Sequence, residues 1–173
     1  MSDTLVTIIA IFLAAVLMFV FPLMSVAERN DDIAQLAVNS ETADFVNKVR
    51  TSGTITSEDY YGFIQKINST GNSFDVDIEL KILDKNLSAK VGQANAQKIG
   101  ENVYYSKYTT QLESELKNTG KCVLKDGDKI CVTVKNTNKT IAQMLKNFFF
   151  GTTGSDTYQI VATESKMVSI QGK

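Results

Sequence analysis

Residues 5–50 read LVTIIAIFLAAVLMFVFPLMSVAERNDDIAQLAVNSETADFVNKVR, and two hydrophobic patterns follow one another in them without a glycine between. From Leu5 to Val26 there is no charged side chain, and only Thr7, Pro22 and Ser25 are not plainly apolar. As a helix this run spans about 33 Å, against roughly 30 Å for the hydrocarbon core of a bilayer. Beyond it, Ala34, Val38, Phe45 and Val49 recur at helical spacing beside Ile33, Leu36 and Val46. Lys48 and Arg50 then stand where a helix C-terminus favours positive charge, just before Gly53. The sequence predicts one helix from about Leu5 to about Thr51, roughly 70 Å long, apolar all round in its first half and amphipathic in its second. Two helices broken between Pro22 and Asn30 are the alternative.

Ser25, Val26 and Ala27 have the small-x-small pattern of a signal-peptide cleavage site. No lysine or arginine precedes Leu5, however, and the apolar run is longer than the roughly 7–15 residues of a signal core. Residues 1–27 are therefore read as a retained transmembrane or assembly helix. Residues 28–173 are read as one extracytoplasmic domain, with 28–51 continuing the helix; this remainder is large enough to bury its own core. Charge does not choose the membrane orientation, because only the terminal amine and Arg29 lie close to the apolar run.

The chain has 18 Lys and Arg against 19 Asp and Glu, a formal net charge of −1, and neither sign forms a block. No sequence signal points to nucleic acid. There is no histidine, which removes histidine acid/base chemistry, histidine metal sites and the Ser/His and Cys/His nucleophile pairs. We expect no enzymatic activity, no cofactor and no metal. Asp75, Asp77 and Glu79 alternate along a strand as solvated carboxylates do, without the glycine-containing loop of an EF-hand.

The remaining pattern predicts an α+β fold in which the long helix packs on an antiparallel sheet of four or five strands, with several short helices. In TSGTITSEDYYGFIQKINSTGN, Thr56 is placed as N-cap with Asp59 at the third helical position, Gly71 closes the helix, and Tyr60, Phe63, Ile64 and Ile67 form its buried face. FDVDIELKIL alternates apolar and polar residues as a half-buried strand does. Residues 84–102 read as irregular. A helix from about Thr109 to Asn118 ends at Gly120, with Tyr108, Leu112 and Leu116 on one side. A helix within NTNKTIAQMLKNFFFG carries Ile141, Met144, Leu145 and Phe148 on one face. TYQIVATESKMVSIQ reads as a hairpin turning near Glu164 to Lys166.

The segment KCVLKDGDKICVTVK reads as another hairpin. With Asp126 and Gly127 as a type I′ turn, Cys122 falls opposite Cys131 at a non-hydrogen-bonded pair, within reach of a disulfide. The other face, Val123, Ile130, Val132 and Val134, is then the core side. A disulfide implies an oxidising compartment and places the domain outside the cytosol; two free thiols are the alternative.

A single apolar N-terminal helix that continues into an amphipathic half on an antiparallel sheet resembles the architecture of type IV pilins and pseudopilins. Pro22, in FVFPLMSVAER, stands where pilins commonly carry a helix-kinking proline. TADFVNKVRTSGTITSEDYYGFIQKINSTGNSFDVDIEL is similar to Tad-type pilin-like proteins. Pilins place a glutamate at the fifth mature position, where this chain has Leu5, with Asp3 its nearest acid. The resemblance implies a structural subunit that self-associates through its N-terminal helices, in contact with the membrane and with pilus or secretion machinery. It would be membrane-anchored with its domain outside, or part of a filament on the cell surface. Ala10 and Ala14 form a small-xxx-small pair that permits close helix approach, and Asp3 can neutralise a neighbour's terminal amine or cap its own helix. The alternative function is a membrane-anchored docking module of a secretion or conjugation machine that does not polymerise.

Overall fold

The computed structural model describes residues 2–84, 103–151 and 160–170. Helix α1 runs unbroken from Ser2 to Ser52, with Pro22 inside it, so the alternative of two helices is excluded. Its buried residues are Ala27, Asp31, Ala34, Val38, Thr42, Phe45, Val46 and Val49. All but Val46 follow one another in steps of three and four, which draws a single stripe along the helix. No residue of the stripe lies before Ala27.

After α1 come β1 (Thr54–Thr56), α2 (Ser57–Asn68), β2 (Phe74–Asp84), β3 (Val103–Tyr108), α3 (Thr109–Thr119), β4 (Lys121–Val123), β5 (Lys129–Asn136), α4 (Ile141–Phe150) and β6 (Val161–Met167). The main sheet has the order β3-β2-β5-β6, and β1 pairs with β4 in a small second sheet. All pairs are antiparallel. The fold is thus α+β, with sheets of four and two strands.

The core lies between the main sheet and α1. Val76, Ile78 and Leu80 of β2 and Ile130, Val132 and Val134 of β5 are buried with Val38, Phe45, Val46 and Val49 of α1. Each such side chain contributes roughly 1.5–3 kcal/mol of hydrophobic stabilisation. Two side chains bind α1 to the last strand. Gln35 accepts from the Val161 amide at 2.9 Å and donates to the Val161 carbonyl at 2.8 Å, occupying an edge that would otherwise face solvent. Lys166 donates to Asn47 Oδ1 at 2.7 Å.

Helix α2 begins as its sequence predicts, with the Thr56 hydroxyl accepting from the Asp59 amide at 3.1 Å. Tyr60, Phe63 and Ile67 are buried, and Phe63 stacks on Phe45 of α1 with ring centroids 4.6 Å apart. The helix ends at Ser69 in right-handed conformation, two residues before Gly71. Helix α3 ends at Gly120 with φ 74°, as expected, and Leu112 and Leu116 are buried, while Tyr108 is exposed.

Two expectations are overturned. Asp126 and Gly127 do form a turn, with the Asp128 amide donating to the Lys125 carbonyl at 3.0 Å. Among the described residues, however, only glycines have positive φ, so Asp126 does not take the conformation that a type I′ turn requires. Turns without that twist splay the flanking strands. The Asp128 carboxylate holds the splayed geometry by accepting from the Lys125 amide at 2.7 Å and the Leu83 amide at 2.8 Å. Beyond the turn the Leu124 amide donates to the Gly53 carbonyl at 2.8 Å, and β4 joins β1 instead of β5. Val123 is consequently exposed, and Cys122 and Leu124 are buried in its place.

The second hairpin is also absent. Residues 161–167 are one strand paired along its length with β5, so Glu164 to Lys166 make no turn. On α4, Ile141, Met144 and Phe148 share one face, as its period implies, and that face points outward, with Leu145 half-buried. The expected irregular segment falls largely on residues 85–102, outside the described residues.

Gly53 joins α1 to β1 with φ 65°, and a Cβ there would lie 2.6 Å from Ile170 Cδ1 and 3.3 Å from the Leu124 carbonyl oxygen. Gly62, inside α2, has nothing within 4 Å of the same position. Denaturant titration of the detergent-solubilised chain should therefore separate the two. Gly53→Ala should destabilise by about 2 kcal/mol and Gly62→Ala should stabilise by about 0.5–1 kcal/mol.

Candidate assembly helix and the two cysteines

The first half of α1 has the length and composition of a membrane-crossing helix, and its most apolar window is 0% buried by the rest of the chain. Phe12, Met18 and Phe19 are exposed by 68%, 76% and 76%. A contiguous exposed apolar surface of this kind is one that lipid or other helices can cover.

Asp3 lies in the first turn of α1, where its charge complements the helix dipole. Ala10 and Ala14 are one turn apart and exposed, so they share a face on which another helix could approach closely. Pro22 is exposed with helix on both sides of it. Its missing amide removes one backbone hydrogen bond at the end of the apolar half.

Between this half and the domain stands a polar joint that periodicity did not reveal. Asp31 occupies the buried stripe between Ala27 and Ala34 and is only 5% exposed. The Thr140 hydroxyl donates to its carboxylate at 2.6 Å and also accepts from the Gln143 amide at 3.3 Å, as N-cap of α4. One turn nearer the apolar half, Lys146 pairs with Glu28 at 2.8 Å. The available signal was the position of Asp31 in the stripe together with the capping threonine before the IAQML run.

The cysteines expected to pair are not brought together. Cys122 sits opposite Ile55 in the small sheet, whereas Cys131 lies in the main sheet between Glu79 and Ser165. Both are free. The splayed turn at Asp126–Gly127 is the cause, since the register argument holds only if β4 and β5 are neighbours. Burial pushes the Cys122 thiol up to about 11, although the Lys107 ammonium lies 4.0 Å from its sulfur. Lys107 is itself paired with Glu115, whose carboxyl it holds below the usual range.

Two of the carboxylates weighed in the sequence have partners of their own. Lys48 binds Asp59 and lowers its pKa, and Glu79 accepts from the Ser106 hydroxyl at 2.6 Å. Among the described residues no group of three or more Cys, Asp or Glu is arranged to hold a metal ion. Asp77, Glu79, Cys131 and Lys135 line an open hollow on the outer face of the sheet.

The thiols are directly countable. The unreduced, denatured protein should show two reactive thiols. In the folded, detergent-solubilised chain at pH 8, Cys122 should react about a hundredfold more slowly than a free cysteine. A raised pKa leaves thiolate scarce below it, so the Cys122 rate should climb with pH until it levels near 11. No reactive thiol in the unreduced, denatured chain would mean that the cysteines are cross-linked and that β4 and β5 are misplaced. Comparison of the chain with protein-family models, with curated proteins and with solved structures gives no match.

Proposed function

We propose that this chain is a structural, pilin-like subunit. The apolar half of α1 resides in a membrane before assembly and packs against the same segment of neighbouring copies in a surface filament or pseudopilus. The observation that carries this reading is the continuity of α1. One helix has no buried residue among those described as far as Val26, then gives a buried stripe to the domain from Ala27 to Val49. A tether needs only the first part and a flexible joint. A subunit that must hold its domain at a fixed angle around a helical bundle needs both parts in one rigid piece.

Two further features support polymerisation over anchoring alone. Ala10 and Ala14 offer a close-packing face in the apolar half. Ile33 and Leu36 remain 62% and 69% exposed in the amphipathic half, on the side away from the buried stripe. Neighbouring helices in a filament would cover both. Placement of the domain outside the cytosol rests on the pilin resemblance, because the cysteine argument for it has fallen away.

Electron microscopy and immunoblotting of sheared surface material test the proposal. The native chain should appear in filaments. Ala10→Leu combined with Ala14→Leu should reduce sheared filaments several-fold while leaving the membrane-associated pool intact. Failure to find the native chain in any sheared polymer, with the double variant behaving like wild type, would leave the non-polymerising docking module as the reading.

A further inference from the structure

Helix α4 turns its apolar side outward. Ile141, Met144 and Phe148, spaced by three and four, form one face and are 59%, 51% and 80% exposed; Phe150 beyond them is 61% exposed. Its inner side carries the small Ala142, 2% exposed, and Lys146, whose ammonium reaches back to Glu28 of α1. A helix against a protein core has the opposite arrangement.

The contacts with α1 fix how deep this face lies. Thr140, at the start of α4, bonds Asp31, and Lys146, six residues later, bonds Glu28. The helix therefore approaches the apolar half of α1 as it proceeds, with Phe148 and Phe150 following Lys146. Asp31 is only five residues beyond Val26, about 7 Å along the helix axis. The polar headgroup layer on each side of a bilayer is of similar depth, roughly 5–8 Å. If α1 crosses the membrane with its uncharged run in the hydrocarbon, α4 stands in the headgroup layer with three large apolar side chains and a terminal phenylalanine uncovered.

We propose that α4 is an interfacial membrane-binding helix whose occupant is the lipid of the bilayer that α1 crosses. Its apolar face enters the boundary between headgroups and acyl chains beside α1. With Asp31 and Glu28 as the two points of attachment, it sets the height and tilt of the domain over the membrane. The inference rests on the membrane-spanning reading of α1, and concerns the subunit before it leaves the bilayer.

The chain has no tryptophan, so a single introduced one reports its own surroundings. Phe148→Trp, Met144→Trp, Phe12→Trp and Tyr61→Trp would each be reconstituted as full chain in vesicles of phosphatidylcholine and phosphatidylglycerol. Phosphatidylcholines brominated high or low on the acyl chain serve as quenchers. Tryptophan at 148 and at 144 should emit to the blue of its position in water and lose roughly half its intensity to the shallow quencher, and less to the deep one. Tryptophan at 12 should be quenched best by the deep probe, and at 61, on the exposed side of α2, by neither. Quenching at 12 without quenching at 148 or 144 overturns the proposal and leaves α1 in the membrane; blue emission at 148 in that case identifies a protein neighbour as the cover. Absence of quenching at 12 overturns the spanning reading itself.

Discussion

The structure depends on one helix serving two environments. The stripe from Ala27 to Val49 is buried against the sheet, while none of the described residues before it is buried. Because α1 is continuous, the hydrophobic effect that folds the domain also decides how the apolar half leaves it. The stripe must meet β5 and β6, so the axis of α1 is set by the sheet, and the uncovered half projects along the same axis. Gln35 and Lys166 fix the sheet edge to the helix by hydrogen bonds, which add direction to a contact that apolar burial alone leaves free to slide.

Polar groups at the joint make its position specific. A carboxylate at Asp31 is costly to bury unless it is hydrogen-bonded, and Thr140 supplies that bond while capping α4. The same interaction that compensates Asp31 therefore starts α4 at one place on α1. Lys146 and Glu28 then set its direction, although a pair this exposed contributes little to stability by itself. Their effect is geometric: an outward-facing apolar helix is held beside the end of the apolar half of α1.

Much of this fold was readable because it is written locally. The period of α1, the alternation of β2 and the Thr56 cap depend on residues a few positions apart, and each appears as its pattern implies. The β4–β5 segment failed for a reason that is not local. Asp126–Gly127 suits a tight hairpin, but the Asp128 carboxylate binds amides at Lys125 and Leu83 and draws the chain into a different turn, and Leu83 is far away in sequence. With that turn went the cysteine pairing. The orientation of α4 was hidden likewise: its period identifies an amphipathic helix, but which side faces the protein is decided by Asp31 and Glu28 on another element. Of the candidate site, the uncovered apolar run was legible, while the polar joint was not.

The continuity of α1 gives the joint a rotational phase. With 3.6 residues per turn, each residue advances the helix by about 100°. The passage from the apolar half into the stripe at Ala27 contains no loop to absorb a change of length. A single residue inserted at that passage would swing the whole domain about a quarter-turn around the helix axis relative to Ala10 and Ala14, with every contact inside the domain preserved. The length of this helix is thus an angular coordinate as well as a distance: it sets which face of the domain stands over the face that carries Ala10 and Ala14.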